Sequence, residues 1–133
     1  MAEKDELPRG HGETILIVDD EASVIVITRQ TLQAFGYQVL TATDGADAVA
    51  VYAQHQQEIA VVLTDMMMPV MDGPAMIHAL MRMNPVVKII AASGLSANGN
   101  VAKISGAGVK HFLTKPYTAN TLLKTLKTIL SQP

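Results

Sequence analysis

Several residues able to do chemistry recur in one kind of place in this chain, directly after a short apolar run. Asp19 and Asp20 follow TILIV, Asp65 follows IAVVLT, Ser93 follows VVKIIAA, and Lys115 follows VKHFLT. Carboxylates, a hydroxyl and one ammonium form a set suited to handling a phosphoryl group. Two like charges ~4 Å apart oppose each other by ~4 kcal/mol at an effective dielectric of ~20, so three aspartates gathered at one rim require a cation among them. An all-oxygen set with room for water is what Mg²⁺ takes, because that ion keeps several waters and uses few carboxylates. Lys115 adds a compact positive charge with three donors for a phosphoryl oxygen, and the Ser93 hydroxyl can donate to the same group. Asp65 is then the nucleophile, since carboxylates form aspartyl-phosphate intermediates. The protein's share of such a reaction is mainly positioning and charge neutralisation.

These residues need a scaffold that brings separate chain segments to one edge. The segments read as strands β1 to β5 at residues 14–19, 37–41, 59–64, 86–91 and 109–114. Their continuous apolar character suits strands buried on both faces of a parallel sheet. Helices alternate with them. The first, α1, presents Val24, Ile27, Thr28, Thr31, Leu32 and Phe35 on one face and stops at Gly36. Asp44 is placed to cap α2, which runs to about Gln56, with Asp47 assisting at the third position. The dipeptide Gly73-Pro74 opens α3, and Asn84-Pro85 stops it. The α4 segment, roughly residues 96–107, is weakened by Asn98, Gly99, Asn100 and Gly106. Thr118 caps α5, whose inner face is Leu122, Leu126, Ile129 and Leu130.

Five β-α units with right-handed crossovers predict an α/β, flavodoxin-like, doubly wound five-stranded parallel sheet with helices on both faces. Strand two ends in Thr41-Ala42-Thr43, without a comparable chemical group. That places it at an edge and gives the order 2-1-3-4-5, with ligands bound outside the carboxyl ends of the strands. Residues 1–13, polar and without periodicity, read as a flexible tail or linker, and residues 14–131 as the domain.

Composition narrows the function. The net charge of −2 comes without a basic cluster, which argues against direct nucleic-acid binding. No run approaches the ~18–20 apolar residues of a membrane helix, and the polar N-terminus does not read as a secretory signal. The chain has zero cysteines, excluding thiol chemistry and fitting a cytoplasmic location. The methionines at 66, 67, 68, 71, 76, 81 and 83 are read as adaptable apolar filling. His11, His55, His78 and His111 share no metal-ligand spacing.

The motifs VDDE at 18–21, TDMMMPVMDG at 64–73, SG at 93–94 and KPY at 115–117, in that order, resemble the response-regulator receiver family of two-component signalling. The resemblance spans about residues 14–131. It implies that Asp20, Asp19 and Asp65 hold Mg²⁺, with the backbone carbonyl of Met67 as a further ligand. Asp65 is the implied phosphoacceptor, assisted by Lys115 and Ser93. Ser93 and Phe112 form the implied switch pair, and the bond before Pro116 is expected to be cis. The implied phosphodonor is a histidine kinase or histidine phosphotransfer domain. Signalling is expected through the α4-β5-α5 face, including a phosphorylation-dependent dimer.

Such a domain is not a conventional enzyme, because it catalyses its own phosphorylation and dephosphorylation. Met67 and Leu95 occupy the positions that tune loss of the phosphoryl group in the family. Both are apolar here, so slow dephosphorylation is expected. A dehalogenase-type phosphatase would need an acid where Met67 stands, and DDEAS after strand one would repel a flavin phosphate. The remaining alternative is a phosphorylation-independent interaction module of the same fold. Whether the domain stands alone or belongs to a hybrid kinase is left open, with GHGETILIVDDE resembling the linker-to-receiver join of such kinases.

Overall fold

The computed structural model describes residues 7–66, 73–93, 109 and 111–131, without the side chains of Gly73, Pro74 and Ser93. Its elements are β1 (Thr14–Val18), α1 (Ala22–Ala34), β2 (Gln38–Ala42), α2 (Gly45–His55), β3 (Ile59–Asp65), α3 (Gly73–Met83), β4 (Ile89–Ser93), β5 (His111–Thr114) and α5 (Ala119–Leu130). The segment expected as α4 lies outside the described residues, as do Met67 and Leu95. The five strands form one sheet in the order β2-β1-β3-β4-β5, and every pairing is parallel.

Successive side chains on a strand point to opposite faces, and the apolar runs supply residues for both. Ile15, Ile17, Val61, Leu63, Ile90 and Leu113 pack with Ile25 and Leu32 of α1 and with Leu122, Leu126 and Ile129 of α5. Leu16, Val18, Val62 and Ala91 pack on the other face with Ala48 and Tyr52 of α2 and Met76, Ile77 and Leu80 of α3. Each fully buried Leu or Ile contributes roughly 1.5–3 kcal/mol relative to exposure, so the two cores give the sheet a rigid edge. Met66 and Met76 are buried apolar filling in this packing. The helix caps use the predicted residues. Asp44 accepts from the backbone N–H of Asp47 at 2.7 Å, and Thr118 accepts from that of Thr121 at 3.1 Å.

Three local expectations need correction. Ile27 was placed on the inner face of α1 but is 64% exposed, and the buried stripe is Ile25, Thr28 and Leu32. The run VIVIT is apolar at every angle, so periodicity cannot fix its phase. Strand β4 begins at Ile89 rather than at residue 86, because Asn84 holds a turn. Its side-chain oxygen accepts from the N–H of Val86 at 3.1 Å, and its carbonyl accepts from that of Val87 at 3.0 Å. Strand β5 likewise begins at His111 rather than at residue 109.

Residues 7–13 lie along the domain. Gly10 N–H donates to the Phe35 carbonyl at 2.7 Å, Gly12 N–H to that of Gly36 at 2.8 Å, and Gln38 N–H to that of Glu13 at 2.9 Å. The Arg9 guanidinium sits 5.2 Å from the Phe35 ring centre and donates to the Ala34 carbonyl at 3.3 Å. This segment continues the β1–β2 pairing backwards and covers the end of α1, where carbonyls lack helical partners. The close approach depends on Gly36. Its φ is +93°, and a Cβ there would lie 2.6 Å from the Gly10 carbonyl oxygen. Gly36→Ala is expected to lower the unfolding free energy by about 1–2 kcal/mol from the backbone conformation alone. Urea titration reads this directly, and a midpoint equal to wild type would disprove the constraint.

Candidate functional site

Strand parity aims the charged residues. Ile17, Leu63 and Leu113 all face the α1/α5 core, and two residues beyond each of them stand Asp19, Asp65 and Lys115. Because side chains repeat with period two, the three functional groups leave the sheet on the same side at its carboxyl edge. Backbone pairing fixes their height. Asp65 pairs with Ala92, Asp19 N–H donates to the Ala42 carbonyl at 3.1 Å, and Met66 N–H donates to the Ala92 carbonyl at 3.0 Å.

The Lys115 ammonium donates to Asp19 Oδ2 at 3.0 Å. It also lies 3.5 Å from Asp65 Oδ2 and 3.6 Å from Glu21 Oε1. Asp19 and Asp65 are buried, whereas Asp20 and Glu21 are exposed. The second oxygen of Asp19 accepts from the Glu21 N–H at 2.9 Å. Burial works against the charged form of Lys115, but the hydrogen bond to Asp19 and the fields of Asp65, Asp19 and Glu21 outweigh it. Its pKa accordingly lies above the ordinary lysine value, so the rim retains its positive charge throughout the physiological range.

Oxygens of Asp19, Asp20 and Asp65 all lie within 4.8 Å of one another. Among the described residues, Lys115 is the neighbouring cation and this rim carries more negative than positive charge. Hard oxygen donors on a half-open edge fit a small divalent cation that keeps part of its water shell. Neither aspartate is the N-cap of α1. The N-cap of α1 is Glu21, which makes no side-chain cap hydrogen bond.

Of the remaining predicted residues, Ser93 ends β4 opposite Thr114, with its side chain outside the described set. Phe112 pairs with Ala91 in the sheet and packs against the α2/α3 core while staying partly exposed. The Lys115–Pro116 peptide bond is cis. Two features were not read from the sequence. Glu21, the last acid of VDDE, reaches Lys115 at 3.6 Å. The Tyr117 hydroxyl lies 3.4 Å from the Thr28 hydroxyl of α1, a contact across 89 residues with no local signal. Burial raises the Tyr117 pKa, the Thr28 hydrogen bond and the charge of Lys115 lower it, and Asp19 and Asp65 add to the rise, for a net upward shift.

Comparison with known proteins gives the same answer as this geometry. The response regulator receiver domain family model matches residues 15–127. The chain is 32% identical over 119 residues to the chemotaxis protein CheY of Thermotoga maritima, covering 89% of this chain and 98% of that protein. It is 31% identical over 119 residues to the sensor kinase CckA of Brucella abortus, covering 90% of this chain but only 13% of that much longer protein. Among solved structures, CheY in the CheX-CheY-BeF3-Mg complex of Borrelia burgdorferi superimposes with a TM-score of 0.85 at 27% identity, covering 98% of this chain and 95% of that one. A response regulator receiver domain protein of Clostridium thermocellum gives 0.84 at 26% identity, covering 88% and 93%. A five-stranded 2-1-3-4-5 sheet, an aspartate cluster at its carboxyl edge and a family match over most of its length lead to one conclusion: the chain belongs to the response-regulator receiver family of two-component signalling.

Proposed function

We propose that this domain accepts a phosphoryl group from a phosphohistidine onto the Asp65 carboxylate in the presence of Mg²⁺. The observation that carries this reading is the position of Asp65. It is buried, 3.5 Å from the Lys115 ammonium, and within the same 4.8 Å cluster as Asp19 and Asp20. Asp20, Asp19 and Asp65 would hold the cation, with the Met67 carbonyl as a further ligand outside the described residues. When bound, Mg²⁺ supplies charge neutralisation for the transferring phosphoryl oxygens.

The rest is the work of side chains. An Asp65 oxygen forms the new bond to phosphorus as the P–N bond of the donor breaks. The electron pair of that bond goes to the imidazole nitrogen, and the ring, taking one proton from solvent, leaves as neutral imidazole. With acetyl phosphate the breaking bond is P–O and acetate leaves. Lys115 neutralises a phosphoryl oxygen as charge moves toward Asp65, exchanging part of its contact with Asp19. Ser93 donates to another oxygen and Phe112 follows it, passing the change to the α4-β5-α5 face. Met67 and Leu95, at the positions that tune phosphoryl loss in the family, carry no group able to orient water, so hydrolysis of the acyl phosphate is slow.

The Borrelia CheY complex with BeF3 and Mg supports the reading, because trifluoroberyllate has the tetrahedral form of a phosphoryl group. The donor would be a histidine kinase or a histidine phosphotransfer domain. The CckA likeness supports a place within a longer signalling protein, and the two CheY likenesses support a stand-alone regulator.

Intact-mass measurement after incubation with Mg²⁺ and acetyl phosphate is expected to show one added phosphoryl group, absent without Mg²⁺ and in Asp65→Asn. No adduct from acetyl phosphate and none from a phosphorylated histidine kinase would overturn the proposal in favour of a phosphorylation-independent module. The adduct should persist for many minutes with Mg²⁺ present. Decay within seconds would refute the shielding role of Met67 and Leu95. Lys115→Ala should bind Mg²⁺ more tightly than wild type, by relief of the competing charge, yet be phosphorylated about 10- to 100-fold more slowly. Calorimetric metal titration and the adduct time course test the two halves separately, and wild-type behaviour in both would remove Lys115 from the mechanism.

A further inference from the structure

The buried stripe of α1 consists of Ile25, Thr28 and Leu32, and its middle member is polar. Thr28 is 4% exposed, a burial at which an unmatched hydroxyl costs about 1–3 kcal/mol. An aliphatic side chain would satisfy the same packing without that requirement. The side-chain partner described for the Thr28 hydroxyl is Tyr117 Oη at 3.4 Å, while the Tyr117 ring packs against the α1/α5 core.

Tyr117 is separated from Lys115 only by Pro116. The segment after β5 is therefore attached to the first loop and helix at two points on either side of Pro116. Lys115 meets Asp19 at 3.0 Å ahead of the N-terminus of α1, and Tyr117 meets Thr28 two turns further along. One attachment leaves a lysine free to swing about its four-carbon stem. A second attachment two residues later limits how far the backbone carrying it can rise from the rim.

We propose that Tyr117 is a positioning residue for phosphoryl transfer, its hydroxyl bound to Thr28 so that the β5-α5 connection holds Lys115 at the height from which it reaches the phosphoryl group on Asp65. This rests on Asp65 being the phosphoacceptor. The metal site is built by Asp19, Asp20 and Asp65 and does not include this connection. The inference therefore separates two quantities that a general loss of structure would move together.

The test follows the rate of phosphorylation by acetyl phosphate and the affinity for Mg²⁺ in the whole chain. Tyr117→Phe keeps the ring and Thr28→Val keeps the helix packing. Each is expected to slow phosphorylation about three- to tenfold, the kinetic equivalent of one neutral hydrogen bond, with Mg²⁺ affinity within about twofold of wild type. The double variant should be no slower than either single one, because both remove the same contact. Thr28→Ser, which retains the hydroxyl, should restore the wild-type rate. In a Lys115→Ala background, Tyr117→Phe should have no further effect.

A wild-type rate in Tyr117→Phe overturns the inference. So does an undiminished effect in the Lys115→Ala background, or a parallel loss of Mg²⁺ affinity. Absence of any adduct in the wild type overturns the Asp65 reading instead, and this inference with it.

Discussion

The ammonium of Lys115 lies among Asp19, Asp65 and Glu21, and the charge balance of that rim constrains much of the surrounding structure. Two buried carboxylates that face each other without a cation would repel by several kcal/mol, a large share of a small domain's total stability. One lysine reduces this repulsion but does not cancel it, since Asp20 and Glu21 add further negative charge nearby. The rim is therefore stable enough to fold and still short of positive charge. A divalent cation at the aspartate cluster would relieve that residual imbalance, and the proposed phosphoryl transfer would depend on it. A rim fully neutralised by the chain itself would have little to offer either.

Holding charges in that state requires a scaffold that does not relax to separate them. The two-sided parallel sheet provides it. Each strand is packed on one face by α1 and α5 and on the other by α2 and α3, so a one-residue slip would exchange the two apolar sets and force both cores to repack. The same register sets which way Asp19, Asp65 and Lys115 point. Core packing and site geometry are thus one constraint: a strand that buries Ile17, Leu63 or Leu113 correctly has already aimed the residue two places on.

This explains how much could be read from the sequence. Strand ends were legible because each apolar run stops at a polar residue, and the carboxyl-edge rule converts those stops into a site. Helices α2 and α5 were legible from Asp44 and Thr118 because capping is local. Phase was lost in α1, where VIVIT is apolar in every direction and only the packing shows that Ile25 turns inward and Ile27 outward. The start of β4 was lost because Val86 and Val87 look like strand residues, while Asn84 holds them in a turn. The segment at 7–13 was unreadable for a different reason. Its order comes from contacts with Phe35 and Gly36, more than twenty residues away, and from the tolerance of two glycines for each other's backbone.

The Thr28–Tyr117 contact lies at the limit of what sequence can show. On a helical wheel Thr28 passes as a mildly apolar β-branched residue, and Tyr117 passes as an aromatic closing the core. Each residue type is ordinary alone, and only their meeting across the fold gives the hydroxyls a purpose. Polar groups on a core-facing stripe are costly unless partnered. When the partner stands two residues from the Lys115 ammonium of a charged rim, packing energy alone is a poor account of the pair. An aliphatic residue at 28 with a phenylalanine at 117 would fill the same space with no hydroxyl to satisfy. What the hydroxyls add is direction, and on this rim direction matters most where it governs Lys115.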